Sequence, residues 1–413
     1  MLPTPSELLI GATPAGHFGP GSIGRLPGII ASAGGDAALI VTDAALAATP
    51  VVATVTGLLA AAGLPATVFD GVHPNPTTAD IGAGAEAAGL AGLAGRHPVV
   101  VAVGGGSPMD AAKGIALAAV NPQRGRALDY RSDFAQPALP LVAVPTTAGT
   151  GAETNAFGVV TDTELRRKFY VGHATTMPAA AILDPDLTIG LPPGATAATG
   201  MDALTHALES YLSVRASPWS AGISLQVIRM VSEFLPRAVG DGTDREARGQ
   251  MLLAAHMAGL AMATTGLGAC HAIGHSLGGR FGVVHGVALT LVLPQVLEFC
   301  RPVSESRLAD VAFALGVGST AAPADRNAGA AVDAVAALAS AVGMDQSLAD
   351  FGIGAADFAQ IAADALDDEV LANAPRQPSA SDLIGILAAA VSARLPAAQA
   401  ETGAGGVELA GAV

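Results

Sequence analysis

The sequence predicts an α/β domain built on a doubly wound parallel sheet, followed by an all-helical domain. Three observations carry that prediction. Up to about residue 190, short aliphatic runs alternate with Ala/Gly-rich helical stretches. Glycines cluster where one of those runs ends. From about Pro192 onward the strand runs stop and apolar residues recur at helical spacing.

Five runs read as strands: "ALIVTD" (38–43), "ATVFDG" (66–71), "PVVVAVGGGS" (98–107), "PLVAVPTTAG" (140–149) and "AAAILDP" (179–185). Helical stretches between them make parallel pairing the expected arrangement, because a parallel crossover needs a dozen or more residues. Segments such as "AATGMDALTHALESYL" and "SLQVIRMVSEFLPRAV" place the second domain among helical bundles. Proline and glycine cluster in "LDPDLTIGLPPGATAA", so the expected domains are residues 1–190 and 191–413. No repeat of solenoid period occurs.

Composition narrows the class. Hydrophobic content is 51% but aromatic content only 4%, since alanine and glycine inflate the first figure; this is a soluble composition pushed toward small residues. The formal charge is -15, and Lys113 and Lys168 are the only lysines, so an acidic surface without a basic tract argues against nucleic-acid or anionic-membrane partners. Cys270 and Cys300 cannot make a disulfide framework, "MLPTPSELLI" lacks the basic start of a signal peptide, and no apolar run approaches membrane length. A cytoplasmic enzyme or binding protein is the expectation.

Two glycine clusters could meet a dinucleotide. "GPGSIG" (Gly19, Gly21, Gly24) fits the GxGxxG spacing, with Asp43 some twenty residues on, but "GATPAGHF" before it is a poor strand, so a plain turn into a helix is the simpler reading. "VVVAVGGGSPMDAAK" is the stronger candidate. A very apolar strand runs into three glycines and then a helix, with Ser107 expected at the N-cap and Pro108 at the first helical position. Glycines let amides approach phosphate oxygens, and a helix N-terminus favours their charge.

Asp43 ends a strand where an adenosine ribose would lie; its carboxylate can accept ribose hydroxyls and would repel a 2′-phosphate, which favours NAD over NADP. "VPTTAGTGAET" offers Thr146, Thr147 and Thr150 as hydroxyl donors at another strand end.

The second domain holds a different chemistry. Asp202 and His206 stand four apart, as do His271 and His275, so each pair shares one helix face; His285 follows ten residues later. A carboxylate with two or three imidazoles suits Fe²⁺ or Zn²⁺. The HxxxH pair is not a zinc-protease motif, because Ala272 stands where that motif needs glutamate.

With "FGPGSIGRL", "GGGSPMDAAK", "PTTAGTGAET", "DALTHALESY" and "HAIGHSLGGRFGVVHG" in this order, the chain resembles the iron-containing, or group III, alcohol dehydrogenases, from about His17 to "NAPRQPSASDLIGIL". The resemblance implies a dehydroquinate synthase-like architecture and a metal held by Asp202, His206, His271 and His285. His275 would stand beside the nicotinamide and substrate. Asp43, Asn75, Gly105, Gly106, Ser107, Asp110, Thr146, Thr147 and Lys168 would surround NAD(H).

The implied reaction is hydride transfer between nicotinamide and a small alcohol, aldehyde or ketone, in a homodimer or larger assembly. Iron is favoured over zinc by the resemblance. Histidine's unperturbed pKa near 6.5 makes His275 the group suited to relay the proton. Three other readings share parts of this pattern: a metal-independent reductase like the maleylacetate reductases, a dehydroquinate synthase-like or glycerol-phosphate dehydrogenase-like enzyme, and a non-catalytic metal- or NAD-sensing protein. The second of these calls for a basic cluster, and the second half has no lysine.

Overall fold

The computed structural model describes residues 13–90, 95–162 and 167–392. The opening "MLPTPSELLI" therefore lies outside the described residues. The chain forms two compact units and passes from one to the other between Leu191 and Pro192.

In the first unit β1 (Ala15–Phe18), β2 (Ala37–Val41), β3 (Ala66–Phe69), β4 (Pro98–Gly104), β5 (Leu141–Pro145) and β8 (Ala180–Leu183) form one six-stranded sheet; β6 (Phe157–Asp162) and β7 (Arg167–Gly172) form a separate antiparallel pair. The sheet order is β1-β8-β5-β4-β2-β3 and every pairing in it is parallel.

Alternation in β4 shows why the central strands are apolar throughout. Val100 and Ala102 face a core with Ile115 and Leu117 of α5 (Gly106–Ala118), while Val99, Val101 and Val103 face Ile30, Val55 and Leu59 on the other side. Those last residues come from α1 (Leu26–Ser32) and α3 (Pro50–Ala61).

The strand order sets where a ligand can lie. From β2 the chain moves outward to β3, and β4 returns on the opposite side of β2. The connections leaving β2 and β4 therefore diverge, which opens the crevice that doubly wound sheets use for nucleotides. Val41 pairs with Ala102, so Asp43 after β2 and Gly105 after β4 sit at the same end of adjacent strands.

Four details differ from the sequence reading. "GATPAGHF" does contain a strand, β1, although it lies at the sheet edge and pairs only with β8. The β6–β7 hairpin is an addition to the five expected strand runs. The strands stop two to four residues earlier than their apolar runs; at β2, for example, Asp43 already caps α2 (Ala44–Ala47) by accepting from Leu46 N.

Finally, Ser107 is not an N-cap. Gly105 holds that position in an extended conformation and Gly106 begins the helix, so Ser107 and Pro108 lie two residues deeper than expected. Gly104, at φ 150°, sits so close to the Pro108 ring that a Cβ would lie 2.5 Å from Pro108 Cγ. That contact draws the turn tight and starts the helix early.

The second unit contains α6 (Pro193–Leu212), α7 (Pro218–Gly240), α8 (Arg245–Thr265), α9 (Ala269–Phe281), α10 (His285–Ala314), α11 (Ala324–Ala341), α12 (Phe358–Asp367) and α13 (Ala380–Ser392). α6 is buried from Ala195 to Leu212, the pattern of a helix enclosed on all sides. One expectation about apolar length needs correcting: α10 is long and apolar enough to span a bilayer, with a mean hydropathy of 1.3 over 18 residues. That window is 67% buried among the other helices, so its apolar surface already has a protein partner.

Candidate active site and metal centre

Three helix segments bring the histidines together. On α6 the i,i+4 spacing puts Asp202 and His206 on one face. Gly266, at φ 64°, ends α8, and the chain turns by 107° into α9, which carries His271 and His275 one turn apart. Gly282 in the left-handed region then ends α9, and the return places His285 at the first position of α10. The spacing of four and then ten is thus one helical turn followed by a reversal.

The side chains converge on a single oxygen. Asp202 Oδ1 lies 3.3 Å from His206 Nε2, 3.7 Å from His271 Nε2 and 3.7 Å from His285 Nε2. Ligand atoms of Asp202, His271 and His285 all fall within 4.8 Å of one another, a compact set for one ion. His206 adjoins that set, its ring stacked on His271 at 4.8 Å between centroids.

Buried atoms without a hydrogen-bond partner occur elsewhere among the described residues, Ser210 Oγ on the same helix included, so what marks this cluster is that two of them, Asp202 Oδ1 and His271 Nε2, face each other 3.7 Å apart. Thr196, Thr199 and Thr205 on the same helix satisfy their hydroxyls on carbonyls one turn back. Asp202 Oδ1 and His271 Nε2 are buried and accept or donate no hydrogen bond. Buried polar atoms without partners are costly unless an ion completes them. A carboxylate and three imidazoles are the donor set expected for a divalent first-row metal.

Electrostatics point the same way. Burial alone would raise the Asp202 carboxyl, but the His206, His271 and His285 imidazoles outweigh it and hold the group well below the carboxylate range. Burial would lower His271, yet the Glu209 and Asp202 carboxylates push it up to about 9. A field that favours a proton on His271 also favours a cation beside it.

Two carboxylates that sequence reasoning missed orient the imidazoles. Glu209 Oε2 accepts from His271 Nδ1 at 2.5 Å, and Asp368 Oδ2 pairs with His275 Nδ1 at 2.7 Å. Burial would raise Asp368; its bond to His275 outweighs this and keeps it ionised below the usual range. Glu209 lies seven residues from Asp202 on the enclosed α6, so a carboxylate in helical phase with the ligands is the available signal. Asp368 follows α12 and carries none.

The nucleotide end of the first unit is built around the glycine turn. Gly106 N–H and Ser107 N–H lie in the first turn of α5, where no intrahelical acceptor exists, and no side chain caps them. A Cβ on Gly105 would stand 3.1 Å from Thr147, and one on Gly106 2.8 Å from Thr150, so the two loops press together. Thr146 is buried beside them, its amide donating to Gly104 O.

"GPGSIG" behaves differently. Its Gly21 and Ile23 amides donate to the Asp184 carboxylate at 3.2 and 3.0 Å, so the chain's own anion occupies that turn.

Asp110 Oδ2 accepts from Val159 N, tying the hairpin to α5. Desolvation pushes its carboxyl up to about 6, against the pull of Lys113 and the Val159 amide. Lys113, fully buried, donates to Ala152 O, Asn155 Oδ1 and Phe157 O; burial brings it down to about 8. Asn75, the one non-glycine residue at positive φ among those described, accepts from Lys168 Nζ at 2.9 Å. Two of the residues expected at the cofactor are therefore neighbours, although 93 positions apart.

Comparisons with known proteins find the same family over both units. The profile of the iron-containing alcohol dehydrogenases matches residues 14–185, and that of the Fe-containing alcohol dehydrogenase family C-terminal region matches residues 196–391. The chain is 43% identical over 291 residues to a probable alcohol dehydrogenase, EutG, of Escherichia coli (strain K12), covering 70% of this chain and 72% of that one. It is 36% identical over 369 residues to the lactaldehyde reductase of the same organism, covering 89% and 95%. The crystal structure of a 1,3-propanediol oxidoreductase superposes with a TM-score of 0.88 at 35% identity, covering 92% of this chain and 98% of that one.

Proposed function

This chain belongs to the iron-containing alcohol dehydrogenase family, and from that premise we propose that it moves hydride between NAD(H) and a small alcohol or carbonyl compound at a divalent metal, iron ahead of zinc. Alcohol dehydrogenase or aldehyde reductase activity follows from the family and its relatives. The observation that carries the finer reading is the convergence of three imidazole nitrogens on Asp202 Oδ1.

Asp202, His206, His271 and His285 would hold the ion. When bound, the metal supplies Lewis-acid polarisation of the substrate oxygen and the nicotinamide supplies the hydride acceptor or donor. Gly106 and Ser107 amides are disposed for the cofactor's phosphates. Asp43 keeps one oxygen engaged by Leu46 N, and its charge disfavours a 2′-phosphate, which supports NAD(H) over NADP(H). His275, oriented through Nδ1 by Asp368, has Nε2 left to take or return the proton of the alcohol.

A short hydroxyaldehyde of the kind named for the lactaldehyde reductase relative is a suitable first substrate. Assembly as a homodimer or larger homo-oligomer follows the family resemblance, and a cytoplasmic location follows the acidic sequence with its two cysteines.

The test is NADH oxidation against a panel of short aldehydes on protein purified without oxygen, before and after chelation and after return of Fe²⁺ or Zn²⁺. Activity should disappear on chelation and return with one ion; turnover untouched by chelation removes the metal reading. NADPH should serve less well than NADH. His275→Ala should lower turnover by about 10² to 10⁴-fold and change the pH profile; an unchanged profile at normal turnover removes the relay.

A further inference from the structure

The carboxylate that orients His271 also holds the start of the helix that carries it. Glu209 lies on α6, three residues beyond His206, and its carboxylate is almost wholly enclosed. It accepts three hydrogen bonds from α9: Gly268 N–H at 3.0 Å, Cys270 N–H at 2.7 Å and His271 Nδ1–H at 2.5 Å. α9 has no cap of its own, since its N-cap residue is Gly268, and a Cβ there would lie 3.0 Å from Glu209 Oε1. The capping carboxylate comes from another helix, 61 residues away from Cys270.

The consequence reaches the metal. A helix N-terminus gains from a carboxylate that satisfies its free amides. Here the same carboxylate also holds the Nδ1 proton of His271, so Nε2 is the nitrogen left to offer a lone pair when a cation displaces its proton, and Nε2 is the atom that faces Asp202.

We propose that Glu209 is the positioning residue of the metal centre: through the α9 cap and the His271 Nδ1 bond it fixes where His271 stands and which nitrogen it offers. Together with Asp202 it also places two buried negative charges beside the imidazoles, a balance matched to a divalent cation. The inference rests on the metal reading above.

E209Q keeps the size of the side chain but offers one acceptor oxygen where the carboxylate offers two. The affinity of metal-free wild type, E209Q and E209D for Zn²⁺ and Co²⁺ is measured by competition with a chromophoric chelator. The visible absorption of the Co²⁺ forms and thermal unfolding of the metal-free proteins are followed in parallel. E209Q should bind Zn²⁺ about 10- to 100-fold more weakly, with an altered Co²⁺ spectrum, and E209D should recover part of the loss.

Zn²⁺ affinity of E209Q within threefold of wild type overturns the proposal. If E209Q does not fold without metal, the Zn²⁺-loaded wild type decides, by ¹⁵N resonances of its histidine rings: His271 bound through Nε2 with a proton on Nδ1 supports the proposal, and binding through Nδ1 overturns it. Wild type that shows no Co²⁺ or Zn²⁺ binding overturns the metal reading itself, and this inference with it.

Discussion

Asp202→Ala is expected to abolish tight metal binding and to lower kcat/KM for aldehyde reduction by about 10³- to 10⁴-fold, the loss of several kcal/mol of charge stabilisation at ~1.36 kcal/mol per tenfold. The size follows from geometry. His206, His271 and His285 each point Nε2 at Asp202 Oδ1 from 3.3 to 3.7 Å, so this carboxylate is the common vertex of the site. Removing it leaves three imidazoles without the carboxylate oxygen they share.

The measurement is metal content per chain together with steady-state kinetics, with Asp202→Asn beside it to keep the volume. Both variants should also lower the thermal stability of the metal-free protein at neutral pH, because the imidazole field that holds Asp202 ionised stabilises the folded state and is lost with the carboxylate. A full complement of metal with activity within tenfold of wild type would show that the reaction does not depend on this ligand.

Periodicity makes this ligand legible in the sequence. Asp202 and His206, then His271 and His275, are each one helical turn apart, and a turn's spacing is visible in a linear chain. The glycine turn after β4 is visible for a similar reason: a wholly apolar strand running into glycines is local information. The exact helix start is not, because it depends on the Gly104–Pro108 contact, and Ser107 is the better cap by residue type alone.

Glu209 and Asp368 are harder to find. Each acts on a histidine 62 or 93 residues away; helical phase with Asp202 marks Glu209 but not its partner, and nothing local marks Asp368. Edge strand β1 is faint in the sequence because Ala, Gly and His are weak strand formers, and it exists through its pairing with β8. "FGVVTD" and "RKFYVG" are not among the five expected strand runs, though they form the β6–β7 hairpin that Asp110 ties to α5.

Gly286 turns this long-range dependence into an experiment. It directly follows His285 in the first turn of α10, and a Cβ there would lie 2.0 Å from the carbonyl oxygen of Ala198 and 2.6 Å from its carbon. Both atoms belong to the backbone of α6, the helix that carries Asp202, so no side chain can rotate away to make room.

Gly286→Ala must therefore push the start of α10 off α6 by about 1 Å, and a misplacement of that order costs about 10²-fold when it falls on a reacting centre. The expected result is a kcat lower by about 10²-fold, weaker metal binding, and a loss of about 1–3 kcal/mol of stability from overpacking. Gly279→Ala is the matched control: it lies on α9 with nothing within 4 Å of its Cβ position, so the same substitution should leave metal binding unchanged. Its stability should rise by about 0.5–1 kcal/mol, because a helical glycine loses more backbone entropy than alanine.

Should Gly286→Ala match wild type in both metal affinity and kcat, His285 cannot be held by the close approach of α10 to α6. If only Gly286→Ala fails, the close packing of two helix backbones is what holds the third imidazole on Asp202.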